Sequence, residues 1–213
     1  GVTSFFFIFG ILLLLNRKNK KIVFYSIILP TFGRPGDVNA FLQSFTQQTY
    51  THYEIIIVDG SPDDCLKPII EKYTPQLPLT YIYDKGLGAS ESRNKGCENA
   101  TGDYLVFIDS DCIVPPHYLK TINDFLQNRP VEGFGGPDRE HPDFTPIQKA
   151  ISYAMTSTLT TGGIRGRKKH IGKFQLRGFN MGIKRDVFFS IGGFSGMQVA
   201  EDIDISMRLL KAG

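Results

Sequence analysis

The feature that most constrains this chain is a regular alternation between short apolar runs and stretches with helical periodicity. The runs are rich in β-branched and aromatic residues, which favour strands. Four of them occur in the first half of the chain, at Ser26–Leu29, Tyr53–Val58, Leu79–Tyr83 and Tyr104–Ile108. Apolar residues recur at helical spacing in 38–45, 66–73 and 118–126. Repeated strand–helix units predict a mostly parallel sheet with helices on both faces, an α/β fold.

Polar residues follow each apolar run at the point where a strand should end. They are Pro30 and Thr31, then Asp59, then Asp84, then Asp109, Ser110 and Asp111. Ligands of open α/β sheets bind at the carboxyl ends of the strands. A single Asp in such a place is more often a turn residue or a helix cap. Their recurrence after successive strands favours a ligand site at one edge of the sheet.

Asp109 and Asp111 could hold Mg²⁺ or Mn²⁺ against the phosphates of a nucleotide. A hard cation prefers oxygen ligands and needs only one or two protein carboxylates when a diphosphate supplies further oxygens. The D-x-D pattern is weak by itself, since a second one occurs at Asp202 and Asp204. Its position directly after a buried run is what favours a metal site.

Two further residues could contact a nucleotide. Asp59 could accept the imino hydrogen of a pyrimidine or of guanine. Residues 86–94 place glycines before a helix of small residues, where backbone amides favour anions, and Arg93 could bind phosphate with its forked guanidinium. Two alternatives stay open: Asp59 is only a turn residue, and Arg93 forms a surface salt bridge with Glu91 or Glu98.

The alternation ends after Gly136. A helix is predicted near Pro146–Ser157, and the glycine-rich basic residues 160–170 are typical of a mobile loop. Asp202 precedes apolar residues at helical spacing, so a helix-start carboxylate stabilised by the helix dipole is one interpretation of it.

The amino terminus is apolar from Val2 to Leu15 and is followed by a basic stretch. We expect residues 1–16 to be part of a transmembrane helix and 17–23 to be a basic juxtamembrane linker on the cytoplasmic side. Residues 24–213 then form the globular domain, truncated at its carboxyl end. A buried helix is the alternative, although the run lacks the polar face of a helix packed on a domain surface.

Charge and cysteine content exclude several classes of function. The 24 basic and 21 acidic residues are interspersed, and no long Lys/Arg tract indicates a nucleic-acid partner. The three cysteines have no C-x-x-C spacing, which argues against a disulfide framework and against a zinc site. We expect them to be small apolar fillers in a reducing compartment.

Seven motifs occur in order between Ser26 and Gly213: I-I-L-P-T-F, V-D-G-S, S-R-N-K-G, F-I-D-S-D, R-G-F-N-M-G-I, G-G-F and E-D-I-D. As a set they resemble the family 2 glycosyltransferases. The resemblance implies the Rossmann-like GT-A fold and a metal-dependent, inverting transfer from a UDP-, GDP- or dTDP-sugar. It also implies a carbohydrate or lipid-linked acceptor, as in cell-envelope polysaccharide biosynthesis, and a membrane-associated protein with its catalytic domain in the cytoplasm.

The same resemblance implies a role for individual residues. Asp59 contacts the base, Asp109 lies beside the ribose and phosphates, Asp111 binds the metal, and Asp202 is the general base that deprotonates the acceptor. The remaining nucleotide-sugar contacts fall to Pro30, Thr31, Arg93 and Ser110. Two alternatives remain: a nucleotide-sugar-binding module without turnover, and a nucleotidyltransferase, whose glycine- and Arg/Lys-rich signature is only faintly present in residues 30–36.

Overall fold

The computed structural model describes residues 22–136, 147, 176, 178–197 and 200–212. The predicted membrane segment at 1–16, the basic loop at 160–170 and, apart from Ile147, the predicted helix at Pro146–Ser157 lie outside these residues. No helix in the described ranges has the length and apolar character needed to cross a membrane.

The described residues form six strands and six helices. The strands are β1 (Tyr25–Thr31), β2 (Tyr53–Asp59), β3 (Leu79–Tyr83), β4 (Tyr104–Ile108), β5 (Gly133–Gly135) and β6 (Asn180–Lys184). The helices are α1 (Pro35–Phe45), α2 (Lys67–Tyr73), α3 (Ala89–Glu98), α4 (Tyr118–Asn128), α5 (Arg185–Ser190) and α6 (Glu201–Ala212). All four predicted strands and the three predicted amphipathic helices are present.

The strands form one sheet in the order β3-β2-β1-β4-β6-β5. Strands β1 to β4 are parallel to one another, whereas β6 runs antiparallel to both β4 and β5. The mostly parallel sheet is therefore confirmed. The chain passes from β1 outward through β2 and β3 and then returns to the other side of β1, which makes the carboxyl ends of β1 and β4 a topological switch point.

Alternate residues of the central strands enter two separate cores. Ile27 packs on the face covered by α1, α2 and α4, whereas Ile28 packs on the face covered by α3, α5 and α6. Helices on both faces are thus confirmed. Gly96 lets α3 approach the sheet closely, because a Cβ there would lie 2.7 Å from Ile28 Cγ2.

The cysteines are free, but only one is fully buried. Cys97 lies in the core beneath α3, whereas Cys65 and Cys112 are half-buried. The prediction of buried fillers therefore holds in full for Cys97 alone, because the other two follow strand ends and lie near the sheet edge.

The chain leaves the sheet after β5 and re-enters it at β6 through one junction. The amide of Gly136, directly after β5, donates to the carbonyl of Asn180 at the start of β6 at 3.1 Å. The chain therefore leaves the sheet and re-enters it at adjacent positions. Asn180 also pairs with Ile108, the last residue of β4, so this junction borders the carboxyl end of the central strands.

Candidate active site

A cavity of about 550 Å³ lies where the carboxyl ends of β1 and β4 meet the start of α3. Its lining comprises Pro30, Thr31, Phe32 and Arg34 from the first strand and loop, Gly86–Ala89, Ser92 and Arg93 from the third helix and the loop before it, and Asp109, Ser110 and Asp111 after β4. Six of the eight predicted site residues are in this set. Asp59 and Asp202 are not.

Asp59 is fully buried and is occupied by donors from the protein itself. One carboxylate oxygen accepts from the amide of Ser61 at 3.0 Å and from the Ser61 hydroxyl. The other accepts from the hydroxyl of Tyr81 at 2.9 Å. The Ser61 hydroxyl in turn accepts from the amide of Gly33 at 2.7 Å, so Asp59 anchors the loop after β1. Its contact with a base stays a prediction.

Tyr81 lies between two carboxylates. Its hydroxyl is 2.9 Å from Asp59 Oδ2 and 2.9 Å from Asp64 Oδ1. A phenol carries one hydrogen, so it donates to one of these oxygens at a time. Burial, together with the hydrogen bonds to both carboxylates, raises the pKa of Tyr81, which keeps it a donor.

Arg93 is the most highly connected residue beside the cavity. Only 4% of it is exposed, and its Nη2 lies 2.9 Å from Asp109 Oδ1. Its Nη1 lies 2.9 Å from Glu201 Oε1, which is 108 residues further along the chain. The guanidinium stands over the ring of Phe194 at 5.5 Å. The proposed salt bridge with Glu91 or Glu98 is therefore replaced by two long-range pairs.

Asp109 is half-buried between the cavity and Arg93. Burial raises the pKa of Asp109 above its ordinary value, and the guanidinium of Arg93 opposes that shift. Asp84, also expected at the binding edge, instead forms an ion pair with Lys95 outside the cavity lining.

Asp202 lies in the first turn of α6, where its Oδ1 accepts from the amide of Ile203 at 2.8 Å. A Cβ built on Gly178 would lie 3.9 Å from Asp202 Cβ and 3.3 Å from Arg93 Nη2. Asp202 is therefore on the same side of the sheet as Arg93, close to the cavity but not in its lining.

The family model described as "Glycosyl transferase family 2" matches residues 26–192, which include the strand ends that build this cavity. This chain belongs to that family. Among the relatives of this family 2 member is an uncharacterized glycosyltransferase of Haemophilus influenzae, 32% identical over 194 residues that cover 87% of this chain and 62% of the relative. A glucosyl-dolichyl phosphate glucuronosyltransferase of Haloferax volcanii is 30% identical over 179 residues, 79% of this chain and 55% of the relative. The chain thus spans less than two thirds of the length of these relatives.

Solved structures show the same fold. TarS residues 1–349 of Staphylococcus aureus in complex with UDP match with a TM-score of 0.67 at 21% identity, covering 89% of this chain and 54% of that one. The mannosyltransferase PcManGT of Pyrobaculum calidifontis in complex with GDP-Man and Mn²⁺ matches with a TM-score of 0.60 at 17% identity, covering 90% and 55%. The GT-A fold predicted for this family 2 chain is confirmed.

Several lining residues of this glycosyltransferase domain were not predicted. Phe32 is 58% exposed, and Arg34 and Ser92 complete the wall on either side. Phe32 belongs to the P-T-F motif at the end of β1, so its place in the motif could have indicated it. Glu201 was missed as a partner of Arg93 because nothing local links residues so far apart.

Two buried polar atoms beside the cavity have no hydrogen-bond partner among the described residues: Thr31 Oγ1 and Arg93 Nε. Buried polar groups are nearly always paired in folded proteins. Thr31 lines the cavity, and its hydroxyl is therefore a buried polar group that a polar ligand could satisfy.

The acidic residues fit a divalent cation that arrives with a diphosphate. Asp111 has 57% of its side chain exposed and contacts Arg34 Nη1 at 3.5 Å, which leaves most of its carboxylate to solvent. Asp109 and Asp111 offer only hard oxygen ligands, as Mg²⁺ and Mn²⁺ require. Within the described ranges no group of three or more Asp, Glu, His or Cys side chains could hold a metal. A cation held by Asp109 and Asp111 would therefore need further oxygen ligands, such as phosphate oxygens and water.

Proposed function

We propose that this chain transfers a sugar from a nucleoside-diphosphate sugar, with a UDP-sugar as the first candidate, to an acceptor hydroxyl with inversion at the anomeric carbon. The observation that carries the proposal is the cavity at the switch point of the sheet, where Thr31, Arg93, Asp109 and Asp111 converge. Solved relatives with UDP, UDP-GlcNAc and GDP-Man support a nucleotide-sugar donor.

The residues around the cavity would have separate roles in the proposed transfer. The start of α3 at Ala89 favours the negative charge of the diphosphate, although the amide of Gly88 already donates to Glu91 Oε2 at 3.0 Å. Asp109 and Asp111 would hold Mg²⁺ or Mn²⁺, which when bound takes up charge on the departing diphosphate. Asp202 would accept the proton of the acceptor hydroxyl as the new C–O bond forms, and attack opposite the leaving diphosphate gives inversion.

The test measures nucleoside diphosphate released from UDP-GlcNAc, UDP-glucose and GDP-mannose with Mn²⁺, for the wild type and for Asp111→Ala and Asp202→Asn. Asp124→Asn is a matched control, because Asp124 is an exposed carboxylate on α4 that pairs only with Lys120 among the described residues. We expect release by the wild type and the control and a strong loss in both site variants. Tight binding without release would instead make this chain a nucleotide-sugar-binding module.

We also propose that residues 1–16 attach the protein to a membrane, with 17–23 and the catalytic domain on the cytoplasmic face. The acceptor is then a carbohydrate or a lipid-linked precursor, used in making a cell-envelope polysaccharide. The apolar amino-terminal sequence and its basic flank support this. Flotation of the full chain with vesicles, compared with a chain that begins at residue 22, tests the attachment. Equal flotation of the two would refute it.

A further inference from the structure

We propose that Arg93 is a positioning residue that ties the helix bearing Asp202 to the donor site, instead of a ligand of the donor phosphates. Its guanidinium holds Glu201, and with it the neighbouring Asp202, at a fixed place relative to Asp109. This inference rests on the proposed function, since it assigns to Asp202 the general-base role.

Both terminal nitrogens of Arg93 are already paired with carboxylates, although Nε has no partner among the described residues. Nη1 and Nη2 each lie 2.9 Å from a carboxylate oxygen, and the side chain is 5% exposed. To place both Nη1 and Nη2 on one phosphate, Arg93 would have to release Asp109 or Glu201. Releasing one partner of a buried ion pair leaves an uncompensated charge, which is strongly unfavourable. The two carboxylates therefore hold the guanidinium where it is.

The start of α6 has an unusual backbone conformation. Ala200, the residue before this helix, has φ 65°, a left-handed conformation that a residue with a Cβ adopts only when its surroundings enforce it. The amides of Ile203 and Asp204 donate to its carbonyl at 3.1 Å. Arg93 contacts the adjoining Glu201 directly, so the Arg93–Glu201 pair restrains this strained start from the donor side.

A second set of hydrogen bonds holds the other end of the first turn of α6, at Asp204. Asp204 accepts from Ser195 at 2.7 Å and from Arg208 at 2.6 Å, and Arg208 donates to the carbonyl of Ile191 at 2.6 Å. These bonds hold the outer side of α6 to the loop after α5. Asp202 thus lies between two residues held by side-chain bonds, Glu201 and Asp204. Of these two, Glu201 is the one connected through Arg93 to Asp109 and the donor site.

Catalysis depends strongly on such placement. A displacement of about 1 Å at a reacting group can reduce a rate about 10²-fold. A lysine at position 93 would carry the same charge, but a single ammonium lacks the planar fork that spans two carboxylates. The length and the fork of the side chain, not only its charge, are then what place Asp202.

The decisive variant is Glu201→Gln, which keeps the size of the side chain and a hydrogen-bond acceptor but removes the charge. If Arg93 is a positioning residue, UDP affinity with Mn²⁺ stays within about twofold of wild type while the rate of UDP release from UDP-GlcNAc falls about tenfold or more. If Arg93 is instead a phosphate ligand, removing a competing carboxylate frees it, and UDP binds more tightly. Unchanged release or tighter UDP binding would overturn the proposal.

Arg93→Lys and Arg93→Met extend the test, with calorimetric UDP affinity, release rate and melting temperature measured for each. Arg93→Met leaves two carboxylates unpaired; should this variant fail to fold, Arg93→Lys and Glu201→Gln decide. Where Arg93→Met folds, adding Glu201→Gln to it should lower the release rate no further, since Arg93→Met has already broken the connection that Glu201→Gln weakens. Additive losses would refute the connection.

Lys95→Met is the matched control. It removes a cation from an ion pair on the same helix, α3, two residues beyond Arg93 and outside the cavity lining. We expect it to leave UDP release unchanged. Absence of release from every donor in the wild type would refute the proposed function itself, whereas release by the wild type and by Glu201→Gln alike would refute only the role of Arg93.

Discussion

Replacing Tyr81 by Phe tests whether the residues beneath the loop after β1 are held as the structure shows. The substitution removes one hydroxyl and little volume. Its hydrogen is the donor to Asp59 Oδ2 or Asp64 Oδ1, each 2.9 Å away. Asp59 is fully buried, so its carboxylate oxygen cannot take a replacement donor from bulk water.

The magnitude follows from counting one hydrogen bond to a charged acceptor. Such a bond contributes about 1.5–3 kcal/mol net, and Tyr81 has only one hydrogen to give. We therefore expect Tyr81→Phe to lower the free energy of unfolding by about 1.5–3 kcal/mol. For a domain of this size each kcal/mol corresponds to about 2–4 °C, so the melting temperature should fall by about 3–12 °C.

The assay is urea and thermal unfolding followed by circular dichroism, since the chain contains no tryptophan. Tyr83→Phe is the control. Tyr83 lies on the same strand and on the same face of the sheet as Tyr81, it is 40% exposed, and its hydroxyl has no hydrogen-bond partner among the described residues. It should change stability by less than about 0.5 kcal/mol. Equal losses in the two variants would refute the reasoning that Asp59 depends on Tyr81.

Three further predictions concern single carboxylates. Asp111→Ala should weaken Mn²⁺-dependent UDP binding at least about tenfold in calorimetric titration while leaving metal-free binding unchanged, because a metal ligand is lost; equal affinity would place the cation elsewhere. Asp202→Asn should lower UDP release about 10²-fold, because an amide cannot act as a base, with little change in melting temperature, since the Asn side-chain oxygen can still accept from the amide of Ile203; release at the wild-type rate would refute the base assignment. Hydrogen bonds, first from Arg208 and to a smaller extent from Ser195, lower the pKa of Asp204 below its ordinary value. Asp204 therefore stabilises the fold at pH values above its unfolded pKa, and this contribution is lost as the pH falls through its folded pKa. Asp204→Asn should therefore lower the free energy of unfolding by about 1 kcal/mol near neutral pH, and urea titrations should show the difference shrinking below about pH 4; a difference that persists there would contradict the assignment.

The predicted strands and strand ends were correct because their signals are local. The apolar run Tyr104–Ile108 and the polar residues that follow it are contiguous, so the fold class and the placement of Asp109 and Asp111 beside a cavity could be inferred from sequence. The parallel order of the strands added Thr31 to the same edge. These inferences need only strand length, polarity and the rule for ligand sites in open sheets.

The remaining features depend on contacts between distant segments. Arg93 had plausible partners two and five positions away on its own helix, and only the packing of α6 against α3 makes Glu201 its neighbour. Asp59 could be placed at the end of β2, but its complete burial results from Ser61 and Tyr81 closing over it. Periodicity gives no information about either contact.

The junction between Gly136 and Asn180 has an evolutionary consequence. The intervening chain begins and ends at hydrogen-bonded positions beside β4. Near its end, Leu176 enters the core on the α6 side, and its amide donates to the hydroxyl of Ser206 at 2.9 Å. Doubling the length of a flexible connection costs only about 0.6 kcal/mol. Natural selection, or a protein engineer, can therefore vary the length of chain between Gly136 and Leu176 while the strands on either side keep their register.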